Sequence, residues 1–166
     1  IQRRLETVPQ VETARVRRTL PDTIEVELRP RPTWGLVHGL DVTLAISSEG
    51  IVLGPGPGGG DLPEIRLRGL GAGAVGADGR LDPRLPGAER LPEAIDVHDW
   101  LRDHPGSPFG RIAHLRLEPD GVVLVSADRP WEIAVGDAVD LDGKAANLAA
   151  LLRESPPREP SLLDLR

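Results

Sequence analysis

Nineteen glycines and seventeen prolines punctuate a chain of 166 residues, and they rule out most ways of building it. Proline cannot donate to a β-ladder or sit inside a helix without breaking it, and glycine marks turns and bulges. Only short elements fit between such breaks. No window approaches the roughly 18 uninterrupted apolar residues that a membrane-crossing helix needs. The large side chains that normally fill a core are almost missing: three Trp, one Phe, no Tyr and no Met. A core here must be built from Val, Leu, Ile and Ala, with Trp34, Trp100 and Trp131 as local anchors.

Between the breaks, apolar spacing defines the elements. Ile1, Leu5 and Val8 fall at helical spacing before Pro9 and read as the last turns of a helix. Residues 11–18 alternate roughly. Beyond Pro21-Asp22, Ile24, Val26 and Leu28 alternate strictly with Glu25, Glu27 and Arg29, which predicts a hairpin. Residues 34–37 look extended. Val42–Ile46 and Ile51–Leu53 form a second hairpin about Gly50. The run 54–60 and the stretch 69–87 are Gly/Pro-rich loops. Leu91, Ile95, Leu101 and either His98 or Trp100 make a helical stripe over 89–104. Strands at 113–117, 122–127 and 131–135 make an antiparallel meander. A helix follows, with Asp142 as its expected cap and Leu141, Ala145, Leu148, Leu151 and Leu152 on one side. Pro156, Pro157 and Pro160 make a stiff connector to a closing strand, Ser161–Arg166. This is an α+β arrangement that divides near residues 33–40. Charge divides there as well. Residues 1–34 hold seven Arg against five acids, whereas the rest carries most of the acids behind the net charge of −6.

The chemistry-bearing residues do not assemble into a catalytic pattern. Absence of cysteine excludes disulfides, thiolate metal sites and thiol nucleophiles. The net negative charge disfavours a general nucleic-acid binder. His98 and His104 are six residues apart and do not share a helix face, and no HExxH spacing occurs. A polar helix face is the simpler reading of His98, Asp99, Asp103 and His104. Neither Gly-rich run has the strand–loop–helix setting of a phosphate cradle, and Ser47 and Ser48 lack a nucleophile-elbow frame. No cofactor or metal is expected. What is left is a sheet ending in an apolar strand, and an exposed edge can be completed by a second chain.

Several stretches resemble one family. Val11-Glu-Thr-Ala14-Arg-Val16-Arg-Arg, Pro21-Asp-Thr23-Ile24 and the close on Arg29-Pro-Arg-Pro32 resemble the second half of a POTRA domain of the FtsQ/DivIB cell-division family. Downstream, Ser48-Glu-Gly50-Ile51-Val52, Leu62-Pro63-Glu-Ile65, Val135-Gly136, Lys144 with Leu148, Leu151 and Leu152, and Leu163-Asp164-Leu165-Arg166 resemble the family's second, β domain in order. The sequence departs from the pattern at Arg29-Pro30, in the Gly-rich 54–60 loop and in an expanded 69–87. The resemblance implies the C-terminal part of a POTRA domain at 1–33 and a β domain at 34–166, preceded by the first POTRA elements and a membrane helix. It implies a non-enzymatic scaffold of the division-site complex, extracytoplasmic on a single-pass inner-membrane anchor. FtsB- and FtsL-like proteins would be the partners, held by strand addition. Leu162, Leu163, Asp164, Leu165 and Arg166 match the start of the family's partner-binding strand. A POTRA module of an outer-membrane assembly or secretion system is the alternative, and a small metal-dependent hydrolase using His98, Asp99 and His104 is the third.

Overall fold

The computed structural model describes residues 1–57, 62–71, 73–154 and 161–166. The fold is α+β: a two-stranded sheet joined to a mixed, largely antiparallel sheet of eight strands. Helix α1 is a single turn, Gln2–Leu5, and leaves Ile1 and Val8 exposed. The hairpin pairs β1 (Val11–Thr19) with β2 (Thr23–Pro30), with Val16 opposite Val26 and Ala14 opposite Leu28. The alternation therefore does set the register. It does not bury β2, whose Ile24, Val26 and Leu28 stay about half exposed.

The large sheet begins two residues after Thr33. Its strands are β3 (Gly35–His38), β4 (Thr43–Ile46), β5 (Val52–Pro55), β6 (Glu64–Leu67), β7 (Ile112–Glu118), β8 (Gly121–Ser126), β9 (Trp131–Gly136) and β10 (Ser161–Asp164). Their order across the sheet is β10-β9-β8-β7-β6-β3-β4-β5. The meander β7-β8-β9 forms as its alternation predicts, and β3-β4-β5 is a second antiparallel unit. The two units are joined through β6, which runs parallel to both β3 and β7.

Parallel neighbours need a crossover: β4 and β5 lie between β3 and β6 in the chain, and helices lie in the other two connections. Helix α2 (Leu91–Asp103) lies between β6 and β7 in the chain, and α3 (Leu141–Glu154) lies between β9 and β10. Both pack on one face of the sheet. Leu91, Ala94, Ile95 and Val97 from α2, with Leu141, Ala145 and Leu148 from α3, share one buried cluster with Ile65, Leu115, Leu117, Leu124, Ile133 and Val135. The cap of α3 is Asp140 rather than Asp142: its Oδ1 accepts the Gly143 N–H at 3.1 Å. Asp142 sits in the first turn, where its charge suits the helix dipole. On the opposite face a small cluster of Leu36, Ala45 and Leu53 is covered by the start of the Gly-rich loop. A Cβ on Gly56 would lie 2.8 Å from Leu36 Cδ2, so glycine permits that approach. The rest of that loop, 58–61, and the Pro156–Pro160 connector lie outside the described residues.

The hairpin is fastened to the β5 end of the sheet. Arg31 donates from Nε to the Pro9 carbonyl at 3.2 Å and pairs with Glu49, while Gln10 Nε2 donates to the Leu53 carbonyl.

Candidate partner-binding edge

β10 is the outermost strand at one end of the sheet, and among the described residues nothing pairs with its outer side. It runs parallel to β9, with Ser161 beside Trp131, Leu163 beside Ile133 and Asp164 beside Ala134. The Ser161 N–H donates to the Pro130 carbonyl at 3.2 Å, and the Leu165 N–H to the Ala134 carbonyl at 2.9 Å. Backbone polar groups alternate sides along a strand, so residues 161, 163 and 165 bond inward. The amide and carbonyl groups of Leu162 and Asp164 point outward. They are the available rungs.

Side chains alternate with the same parity, up and down. Leu163 points to the helix-covered face and is buried, and Leu165 packs against the same cluster. Leu162 and Asp164 project on the other face, with Leu162 58% exposed. The five residues singled out in the sequence thus divide into two that hold β10 in place, two that present a template, and Arg166. The regular strand ends at Asp164, two residues short of the expected end.

Arg166 moors the tail. Its guanidinium bonds Asp164 at 2.7 and 2.9 Å and pairs with Asp120 in the β7–β8 turn. Its stem lies across Gly136, where a Cβ would come within 2.9 Å of Arg166 Cγ. The Arg166 side chain, and then its backbone N–H, hold the Asp164 carboxyl at about 2, below the ordinary carboxylate range. Since the folded value is depressed, the stabilisation is present above about pH 4 and lost as pH falls through 2. Between pH 4 and pH 2 the Leu165 amide is expected to lose hydrogen-exchange protection ahead of the β7 and β8 amides. Uniform loss across the sheet would contradict this mooring.

The opposite edge of the sheet is closed. The Val52 N–H donates to the Gly79 carbonyl at 2.7 Å, Ile51 bridges to Arg80, and the Leu53 carbonyl is taken by Gln10. Proteins blunt sheet edges in this way to prevent unwanted pairing. The contrast between a covered β5 and an open β10 is the most distinctive feature of the sheet.

Helix α3 has two flanks beside its buried stripe. Ala145 and Asp142 line a cleft with Trp100 and His104 of the α2 end, so that side of α3 faces the middle of the sheet. Leu151 lies on the other flank of the apolar stripe and is 40% exposed. On the outer face, Arg116 grips Glu132 through two bonds of 2.7 and 2.6 Å, tying β7 to β9 across β8. That hydrogen bond lowers the Glu132 pKa and raises that of Arg116.

The histidines do not converge. His98 packs edge-on to Trp34 with ring centroids 5.1 Å apart, and burial lowers its pKa. His104 stacks on Trp100 at 4.3 Å. Asp99 accepts from Arg102 at 2.9 Å and from Trp34 Nε1 at 3.3 Å. His38 meets Thr43 at 3.0 Å, and His114 lies on β7, its pKa lowered by burial and then by Arg66 and Arg116. No group of three or more His, Cys, Asp or Glu among the described residues could hold a metal ion. Sequence pattern marks neither β6 nor Arg129; only the four-residue alternation Glu64-Ile65-Arg66-Leu67 carries a local signal. Comparison with known proteins adds no identification: no protein-family model matches this chain, and no curated protein does.

Proposed function

We propose that this chain is the extracytoplasmic part of a division-site scaffold of the FtsQ/DivIB type, which holds FtsB- and FtsL-like partners by adding one of their strands to β10. One observation carries the reading: among the described residues no strand pairs with the outer side of β10, whereas the other edge of the eight-stranded sheet is covered. The outward rungs, Leu162 and Asp164, fall within the stretch that resembles the family's partner-binding strand. An added strand satisfies backbone groups that otherwise depend on water. No reaction is assigned.

The hairpin fits the same reading. On it, residues 1–33 are the closing part of a POTRA domain, and the half-exposed Ile24, Val26 and Leu28 face is covered by the POTRA elements that precede it. The hairpin is fastened at the β5 end, seven strand spacings from β10, roughly 34 Å. A partner engaged through the POTRA part and a partner strand on β10 would therefore not compete for space. The anchor on this reading is a single membrane helix ahead of the POTRA domain; no helix among the described residues is long and apolar enough to cross a membrane. The region sits outside the cytoplasm, concentrated at the septum.

Leu162→Pro tests the reading most directly. It deletes an outward donor and leaves every inward bond to β9 intact, and proline is tolerated where a strand's N–H faces outward. In the full-length protein, co-purification of the FtsB- and FtsL-like partners is expected to fall about tenfold, while Leu162→Ala, which keeps the amide, loses far less. Full retention by Leu162→Pro, with β10 still protected from hydrogen exchange, would refute strand addition.

A further inference from the structure

We propose that Arg129 selects what β10 accepts: an extended segment with an apolar side chain beside Leu162 and an acidic side chain further along, toward the start of the strand. This rests on the strand-addition reading and adds the chemistry of the occupant. Beside the start of β10, Val125, Ser126, Trp131, Leu162 and Arg129 are among the residues lining a shallow cavity of about 470 Å³ on the protein surface. Two ionisable side chains reach it. Glu132 is already engaged by both nitrogens of the Arg116 fork, so its charge is matched. Arg129 has no carboxylate partner among the described residues, and the neighbouring Asp128 pairs with Arg111 instead at 3.4 Å.

Arg129 is nevertheless held in place. Its guanidinium lies 4.6 Å from the centre of the Trp131 ring, and its backbone N–H donates to Ser126 Oγ at 3.2 Å. Stacking on an aromatic face leaves the edge of the guanidinium, with its N–H donors, free for an in-plane acceptor. A strand added to β10 would lie two spacings from β9, about 10 Å, a gap that an arginine and a glutamate can close together. At the far end of the strand the cation Arg166 is already consumed by Asp164 and Asp120. The edge is thus polar along its length: a positive charge without a carboxylate partner among the described residues at its start, matched charges at its end. That asymmetry favours one placement of an acidic side chain and so fixes the register of the incoming segment.

The test selects displayed random ten-residue peptides on the full chain, in parallel with Arg129→Glu and Leu162→Pro variants. Peptides recovered on the unaltered chain are expected to carry Asp or Glu at one position, at a fixed spacing from an apolar residue. Those recovered on Arg129→Glu should carry Lys or Arg there. A representative acidic peptide should bind Arg129→Glu about tenfold more weakly, recover when its acidic residue is changed to Lys, and show a smaller difference at high salt. Peptides that lack the acidic position, or bind Arg129→Glu unchanged, yet are released by Leu162→Pro, would overturn selection by Arg129 and leave strand addition standing. Peptides indifferent to Leu162→Pro, or no recovered peptides at all, would overturn both.

Discussion

Gly121→Ala is expected to cost about 3–5 kcal/mol in urea unfolding, an exceptional loss for one methyl group. Gly121 opens β8 with φ 139°, a region that side chains rarely adopt. An added Cβ would overlap Gly136 Cα and lie 2.6 Å from its carbonyl carbon and oxygen. Backbone on β9 cannot give way as a flexible side chain would, because β9 is held by β8 on one side and β10 on the other. Strain and overlap therefore add. Gly106→Ala is the control: nothing lies within 4 Å of its would-be Cβ, and its loss should stay within about 0.5 kcal/mol. Similar midpoints for the two variants would show that the close approach of β8 and β9 is not a constraint. The consequence reaches the site, because this approach brings Asp120 up to the Arg166 guanidinium that moors the tail. Loss of Leu165 amide protection in Gly121→Ala, beyond that in Gly106→Ala, would register it.

Local pattern carried most of the elements and little of their arrangement. The meander was readable because Leu115, Leu117, Val122, Leu124, Ile133 and Val135 alternate about tight turns, and hairpin neighbours are sequence neighbours. β6 was not, because its four residues pair on both sides with strands far away in the chain. Nothing local encodes a parallel partner. The closing strand was legible as an apolar stretch, but its parallel pairing to β9, and with it the split between inward Leu163 and outward Leu162, came only from the sheet. Asp140 and Asp142 show the same limit on a smaller scale. Both suit a helix start, and only the backbone decides which one reaches Gly143. Arg129 gave no signal at all, since a lone arginine after Asp128 looks like ordinary surface until Trp131 is seen beneath it.

Leu162→Asp and Leu163→Asp, neighbours in sequence, should behave as opposites. Leu163 is 9% exposed and belongs to the cluster that includes Ile133 and Leu148, so a carboxylate there is buried without a partner. The cost is about 3–5 kcal/mol if β10 stays docked. A terminal strand has a cheaper escape: it can peel from β9 by local opening, without unfolding the sheet. Leu163→Asp should accordingly abolish protection of the Leu163 and Leu165 sites and expose Trp131, with the β7–β8 amides still protected. Leu162→Asp places its charge in water, and stability should change by less than about 0.5 kcal/mol. Equal effects would mean that the strand's register is off by one residue, which would turn the template inward. The contrast extends to binding. Leu163→Asp removes the strand that a partner would extend, so acidic and basic peptides are lost alike. Leu162→Asp keeps the rungs and adds a negative charge to the cavity that Arg129 also lines, so acidic peptides should lose more than basic ones.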